Sequence, residues 1–439
     1  MSIWMKNWIE LDYWARQKND KKFKKHISSL AKVAAHDSSH QWFYAALLNI
    51  LNTGVFPSED LRTCIAANPP DYCSQSYEKL CALLFGSDKP LSAEVMPYCA
   101  VYLLSANKVE RAIQLFDASA NQVLMTRNQI LAWLESSISL ADSYNAMAKR
   151  TETLITNLDY PDQIRHVALT MRYICSWINA DYQFGIQLAM ELKDFLLSQR
   201  KPHTRNYHIF TLYISQLLSN YRKISKFYND EKPIERLVCI GESRSLSPAN
   251  MRFSLTNREV MCQASFIYGV KMHHLNNSNV ASVHYPKLSV LQAISNSPDG
   301  CVFMFAIGEI DCRPDEGIWL AARKQKKDLN EVIEETVDGY VEFLEVALNG
   351  KDSGSIVLQG IPAPNYSLSD LNVSETQTFL DMISNVNQRV RDRALQNGWH
   401  FLDLYKATVG NDGKSNRRWH IDSHHINPIF YQECDNFLI

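Results

Sequence analysis

The chain has 439 residues, 46% of them hydrophobic and 21% charged, with 45 Lys and Arg set against 47 Asp and Glu. Such a length suits about two or three globular domains of ordinary composition, each with its own core. The near balance of charge leaves no basic footprint for nucleic acid, and no stretch reaches the ~18–20 apolar residues of a membrane span or the apolar core of a signal peptide, so a cytoplasmic protein is expected.

From the start to about residue 230 the pattern is helical and glycine is nearly absent. "HQWFYAALLNILNTG" (40–54) predicts a helix closed by Gly54, and Ser58 is placed to cap the next. The segment 94–120 predicts two helices with a break near Asn107-Lys108, and 162–199 predicts two more with a break near Ala180-Asp181. "AIQLF" at 112–116 and "GIQLA" at 185–189 put Ile113 and Ile186 73 positions apart, about two repeats of tetratricopeptide length. This half therefore weakly resembles tetratricopeptide-like helical repeats, and an irregular helical-hairpin array and a plain bundle both remain open. Its stripes of Leu, Ile, Tyr and Trp are core in either case.

"YRKISKFYNDEKPIER" (221–236) interrupts the helical pattern with charges and Pro233, and the character of the chain changes beyond it. Short apolar runs follow: "RLVCIG" (236–241), "GCVFMFAIG" (300–308), "GSIVLQGIP" (354–362) and "WHFLDLY" (399–405). Helical segments lie between them, at 285–297, at 329–350 and at 374–398, the last with Ser374 at the cap and Gly398 past the end. Strands that are apolar on both faces and alternate with helices predict a parallel sheet covered on both sides. The expectation is an all-α domain over 1–230, then a three-layer α/β domain over 231–439.

In such a sheet the residues just after the strands converge on one edge. After the first run comes "GESRS" with Ser243 and Arg244; after the second, "GEIDCR" with Glu309, Asp311 and Arg313; after the fourth, "RRWHIDSHHINP" with His420, Asp422, His424 and His425. A serine nucleophile needs a base, and the base needs a carboxylate to fix its tautomer. Asp422 and His425, three apart, can meet across one turn. Taken alone, Ser243 reads as a turn or helix-cap serine, and Arg244 as the partner of Glu242 or Glu309. Two arginines following two site loops also suit a charged substrate. The ten cysteines contain no C-x-x-C pair, so neither a zinc site nor a disulfide framework is expected, and most read as small buried thiols.

The second half resembles the SGNH/GDSL hydrolases, serine esterases and acyltransferases on a flavodoxin-like sheet. Gly241-Glu242-Ser243 is similar to their Gly-Asp-Ser block, and Asp422-Ser423-His424-His425-Ile426-Asn427-Pro428 to their C-terminal Asp-x-x-His block. The resemblance implies Ser243 as nucleophile, His425 as base, Asp422 as its partner, and no metal or cofactor. It also implies an acylated carbohydrate as substrate. Two departures stand out: Ile310 occupies the position of the oxyanion asparagine, and no glycine between Gly269 and Gly300 answers to the second block. His274 and Asn276 are then the candidate donors, with Arg244, Glu309, Asp311 and Arg313 as substrate contacts. The competing expectation is a helical scaffold that binds a protein partner and carries an inactive hydrolase-like domain.

Overall fold

The structure is a computed structural model that describes residues 109–439 apart from gaps at 121, 126, 141–143, 158, 199–204, 225–233 and 277–284, together with 96, 97, 100 and 104. The helices expected at 40–54 and after Ser58 lie outside the described residues, as does most of the first one expected in 94–120. The chain divides into two compact units, Met1–Ser136 with Thr156–Tyr160, and Ser137–Ile155 with Pro161–Ile439.

In the first unit, α1 (Val109–Ser119) begins just after the expected break at Asn107-Lys108 and is followed by α2 (Arg127–Ser139), whose last three residues fall in the second unit. Phe116 and Trp133 bring their rings to 6.3 Å, and the Trp133 indole N–H donates to Asp117. The second unit opens with α3 (Tyr144–Thr156), all but its last residue, and continues with α4 (Asp162–Ile178), α5 (Tyr182–Ser198) and α6 (Arg205–Ile224). The break expected at Ala180-Asp181 separates α4 from α5, and Ala180 makes it in the left-handed region at φ 57°. Across the α4–α6 contact the hydroxyls of Thr170 and Thr211 meet at 3.0 Å and those of Tyr173 and Ser215 at 3.1 Å, so the polar groups buried there are paired.

The sheet has six strands: β1 (Glu235–Gly241), β2 (Arg252–Leu255), β3 (Arg258–Phe266), β4 (Val302–Ala306), β5 (Ile356–Gln359) and β6 (His400–Leu402). They lie in the order β2-β3-β1-β4-β5-β6, and every pairing is parallel except that of the edge strand β2 with β3. The four apolar runs of the sequence became β1, β4, β5 and β6. The β2–β3 hairpin was not anticipated, and it makes the sheet mixed rather than wholly parallel. Thr256 and Asn257 turn it with φ of 55° and 59°, positive at both central residues as a type I′ turn requires, while Leu255 pairs with Arg258.

Alternation along the strands builds two cores. Val238, Ile240, Phe303, Phe305 and Leu358 point to one face, where α10 (Leu329–Ala347) and α11 (Val373–Gln396) cover them; α7 (Met272–Leu275), α8 (Tyr285–Ser295) and α9 (Gly317–Gln325) precede these two in the chain. Leu237, Cys239, Met304 and Val357 point to the other, under α12 (Leu404–Thr408) and a 3-10 segment, Pro428–Phe437. Phe305 is fully buried, and its truncation to alanine is worth about 3–5 kcal/mol. α11 is capped by Asn372 in a capping box with Glu375, two residues ahead of the expected Ser374, because Asn372 can accept the Glu375 N–H while Glu375 returns to the Asn372 N–H.

The sequence changes character near residue 230, where helices give way to β1, but helices α4–α6 belong to the same compact unit as the sheet. The Trp177 indole donates to the carbonyl of Leu246, and the Asn250 amide donates to the carbonyl of Trp177. The six described cysteines, Cys175, Cys239, Cys262, Cys301, Cys312 and Cys434, are buried free thiols. Among the described residues no helix is long and apolar enough to cross a membrane.

Candidate active site

Taken alone, the parallel strands run second-first-third-fourth-fifth, so the crevice at which the order reverses lies beyond the ends of β1 and β4. Gly241 lets those ends close on each other: a Cβ there would stand 2.2 Å from the carbonyl oxygen of Ala306. The Glu242 N–H donates to that same carbonyl, and the chain then turns into the short 3-10 helix Ser243–Leu246. A buried strand thus delivers a serine to the rim of the crevice.

The second contribution comes from the loop that ends at Ile426, where His420 and Ile426 form an isolated antiparallel bridge. Asp422 folds this loop around its own carboxylate, since Oδ1 accepts the N–H groups of His424 and His425, each at 2.8 Å. Oδ2 faces His425 Nδ1 at 2.7 Å, and His425 Nε2 faces Ser243 Oγ at 2.8 Å. With the proton of the neutral ring on Nδ1, toward the carboxylate, Nε2 is left to accept from the serine. Burial opposes the charge of Asp422, but His425 and the two N–H donors outweigh it and hold the carboxyl at about 2. The three residues paired by sequence spacing and by resemblance therefore stand in hydrogen-bonded sequence.

A third contribution comes from α6. The Tyr213 ring stacks on the His425 ring at 3.7 Å and 10° between planes. Its hydroxyl donates to the Ser243 carbonyl at 3.3 Å and lies 2.7 Å from Ser247 Oγ, which itself donates to the Ile426 carbonyl. One face of the same helix, at Asn206, Ile209 and Phe210, lines a cleft of about 710 Å³ that opens onto Ser243 and His425. Positions 206, 210 and 213 follow the i, i+4, i+7 spacing of one helical face.

The expected substrate contacts divide. Arg313 and Glu309 line or border the site: Glu309 is buried and accepts from Arg313 through both oxygens and from His424 Nδ1 at 2.9 Å. Burial opposes its charge, but Arg313 and His424 hold its carboxyl well below the usual range. Arg313 in turn reaches Glu316, so its guanidinium already faces two carboxylates. Arg244, expected to meet substrate, is fully buried and does not line the cleft, with Nε on Glu242 and Nη1 on the Gly360 carbonyl. Asp311 is likewise buried, accepting the N–H of Met272 at 2.8 Å. His274 and Asn276 do not line the cleft, and the Asn276 amide donates to the Glu335 carbonyl on α10. His420 is pushed down to about 4 by burial and shares a 2.8 Å hydrogen bond with Ser415.

One glycine borders the site. β3 is the second parallel strand, and Gly269 follows it with φ 64°, lining the cleft with Ser243. Among the described residues, no group takes the N–H of Ser243 or that of Gly269. Ile310, in the turn after β4, also lines the cleft and presents a side chain that cannot donate. The signal for Gly269 was present in "CQASFIYG", hidden because the hairpin before it was not read as strands. Tyr213 carried no signal beyond that of a core aromatic. Among the described residues, no cluster of three or more His, Cys, Asp or Glu side chains is arranged to hold a metal ion.

No protein-family model matches this chain, and no curated protein matches it either.

Proposed function

We propose that this chain is a serine esterase or O-acyltransferase of the SGNH type, on a flavodoxin-like sheet, acting on an acylated carbohydrate. The observation that carries the reading is the pair of hydrogen bonds through His425, 2.8 Å to Ser243 Oγ and 2.7 Å to Asp422 Oδ2, at the mouth of a cleft of about 710 Å³. That volume lies within the ordinary range of small-molecule sites.

In the first step His425 Nε2 takes the Ser243 proton as Oγ bonds to the acyl carbon; the carbonyl oxygen becomes the oxyanion, and its natural donors are the N–H groups of Ser243 and Gly269. The C–O bond to the leaving alcohol breaks, and that alcohol takes the proton from His425. In the second step His425 takes the proton of water or a sugar hydroxyl as that oxygen bonds to the acyl carbon; the bond to Ser243 Oγ breaks, and His425 returns the proton to Oγ. The burial of Arg244 and the double pairing of Arg313 favour a neutral acyl sugar over the anionic one the two arginines suggested.

Turnover of p-nitrophenyl acetate tests the reading: an initial burst approaching one equivalent of nitrophenol, lost in Ser243→Ala, supports a two-step route. Two observations favour a second reading, in which the fold serves as a binding module. Ile310 replaces a donor, and Glu242 Oε2 lies 3.2 Å from Ser243 Oγ, where its charge would oppose a nearby oxyanion. Absence of any burst with several activated esters would favour that reading.

A further inference from the structure

We infer that Tyr213 is a positioning residue for His425, supplied to the site by a helix that lies outside the α/β sheet. A serine–histidine pair works only while the imidazole stays in the plane that joins the serine oxygen to the carboxylate, and about 1 Å of misplacement is costly. Hydrogen bonds at both nitrogens fix the ring along one line, Ser243 on one side and Asp422 on the other, but leave it free to tilt about that line. Tyr213 blocks the tilt by lying flat on one face, 3.7 Å away and within 10° of parallel.

The ring is itself held in place. Tyr213 is fully buried, and its phenol joins the two loops that must stay in register. It donates to the carbonyl of Ser243 and contacts Ser247 Oγ, which donates to the carbonyl of Ile426, the residue after the histidine. Burial pushes the phenol well above its usual range, so it stays neutral and serves as a fixed donor. The π face turned toward His425 is the electron-rich one, which also favours the imidazolium formed when the ring takes a proton. Among the described residues, the charged or titratable groups around the ring include Asp422 at Nδ1, Glu242 beyond Ser243, His420, and His424, whose ring centre is 6.4 Å away.

The kinetic arm of the test rests on the esterase reading; the spectroscopic arm does not. Tyr213→Phe keeps the ring and loses the hydroxyl, and Tyr213→Leu loses both. With a fluorophosphonate, the maximal rate of Ser243 modification should fall at least tenfold in Tyr213→Leu, at unchanged half-saturating concentration, and by a smaller factor, about threefold, in Tyr213→Phe, which keeps the stacked ring but loses the hydroxyl that anchors it. In parallel, the low-field proton resonance of His425 Nδ1–H should be sharp in the intact protein and in Tyr213→Phe, and broadened by exchange with water in Tyr213→Leu. Tyr213→Met, similar in volume to leucine but unbranched and more adaptable, replaces the leucine variant if thermal melting shows the latter unfolded. A sharp resonance and an unchanged maximal rate in the aliphatic variant would reduce Tyr213 to packing; a loss in Tyr213→Phe equal to that in the aliphatic variant would make the hydroxyl, not the stacked ring, the agent. If the intact protein takes no label, the resonance alone decides for or against the stacked ring, and the esterase reading is what has failed.

Discussion

Glu242 holds Arg244 inside the protein: Oε1 accepts from Nε at 2.8 Å, and both side chains are 1% exposed or less. The arginine that follows Ser243 in sequence is thus a structural cation, bound to the end of β1 by Glu242 and to the start of the loop after β5 by the Gly360 carbonyl. Burial works against its charge, but Glu242 more than restores it, so the guanidinium stays protonated.

Arg244→Ala should therefore destabilise the fold by about 3–5 kcal/mol, because it strands the Glu242 carboxylate in the interior. Urea denaturation measures this directly. A variant of near wild-type stability with a weakened substrate affinity would return Arg244 to the cleft.

Asp311 sets a pH dependence of opposite sign to the usual acid denaturation. Burial raises its carboxyl from 3.8 to about 7, against the pull of the Met272 and His273 N–H groups. The folded protein holds that proton more tightly than the unfolded chain does, so the group costs nothing below pH 3.8, an increasing amount as the pH rises to about 7, and its full amount above. Asp311→Asn keeps an acceptor oxygen for Met272 and removes the titration. Melting temperatures of the two proteins should diverge in favour of the variant between pH 4 and 7; a difference independent of pH in that window would contradict the assignment.

Removal of residues 1–230 should abolish the site even though every strand of the sheet remains. The cut deletes α6 with Tyr213, and it deletes Trp177, whose indole satisfies the Leu246 carbonyl. The expected result is a chain 231–439 that aggregates or fails to react at Ser243. Reactivity equal to that of the intact chain would show that α4–α6 are dispensable to the site.

What the sequence disclosed, and what it hid, follows from the range of the interactions involved. Strands buried on both faces announce themselves as continuous apolar runs, so "LVCI", "VFMF" and "IVL" were legible. The β2–β3 hairpin carries Arg252, Arg258 and Glu259 and turns on Thr-Asn instead of Asn-Gly, so it has no continuous apolar run and Gly269 does not stand out as the residue that follows a strand. Asp422 and His425 were legible because three residues suffice to bring them together. The fate of Arg244 depends on a carbonyl 116 positions away, and that of Tyr213 on a histidine more than 200 positions on. No local pattern encodes either contact.

The central claim is that Ser243 is a nucleophile activated by His425, and the most direct measurement is covalent labelling of the intact chain with a fluorophosphonate, followed by peptide mapping. One label is expected, on the peptide that contains Ser243, absent in Ser243→Ala and reduced by two or more orders of magnitude in His425→Ala, with both variants melting within a few degrees of wild type. Labelling that persists in His425→Ala, or that never appears at Ser243 in a folded protein, would contradict it.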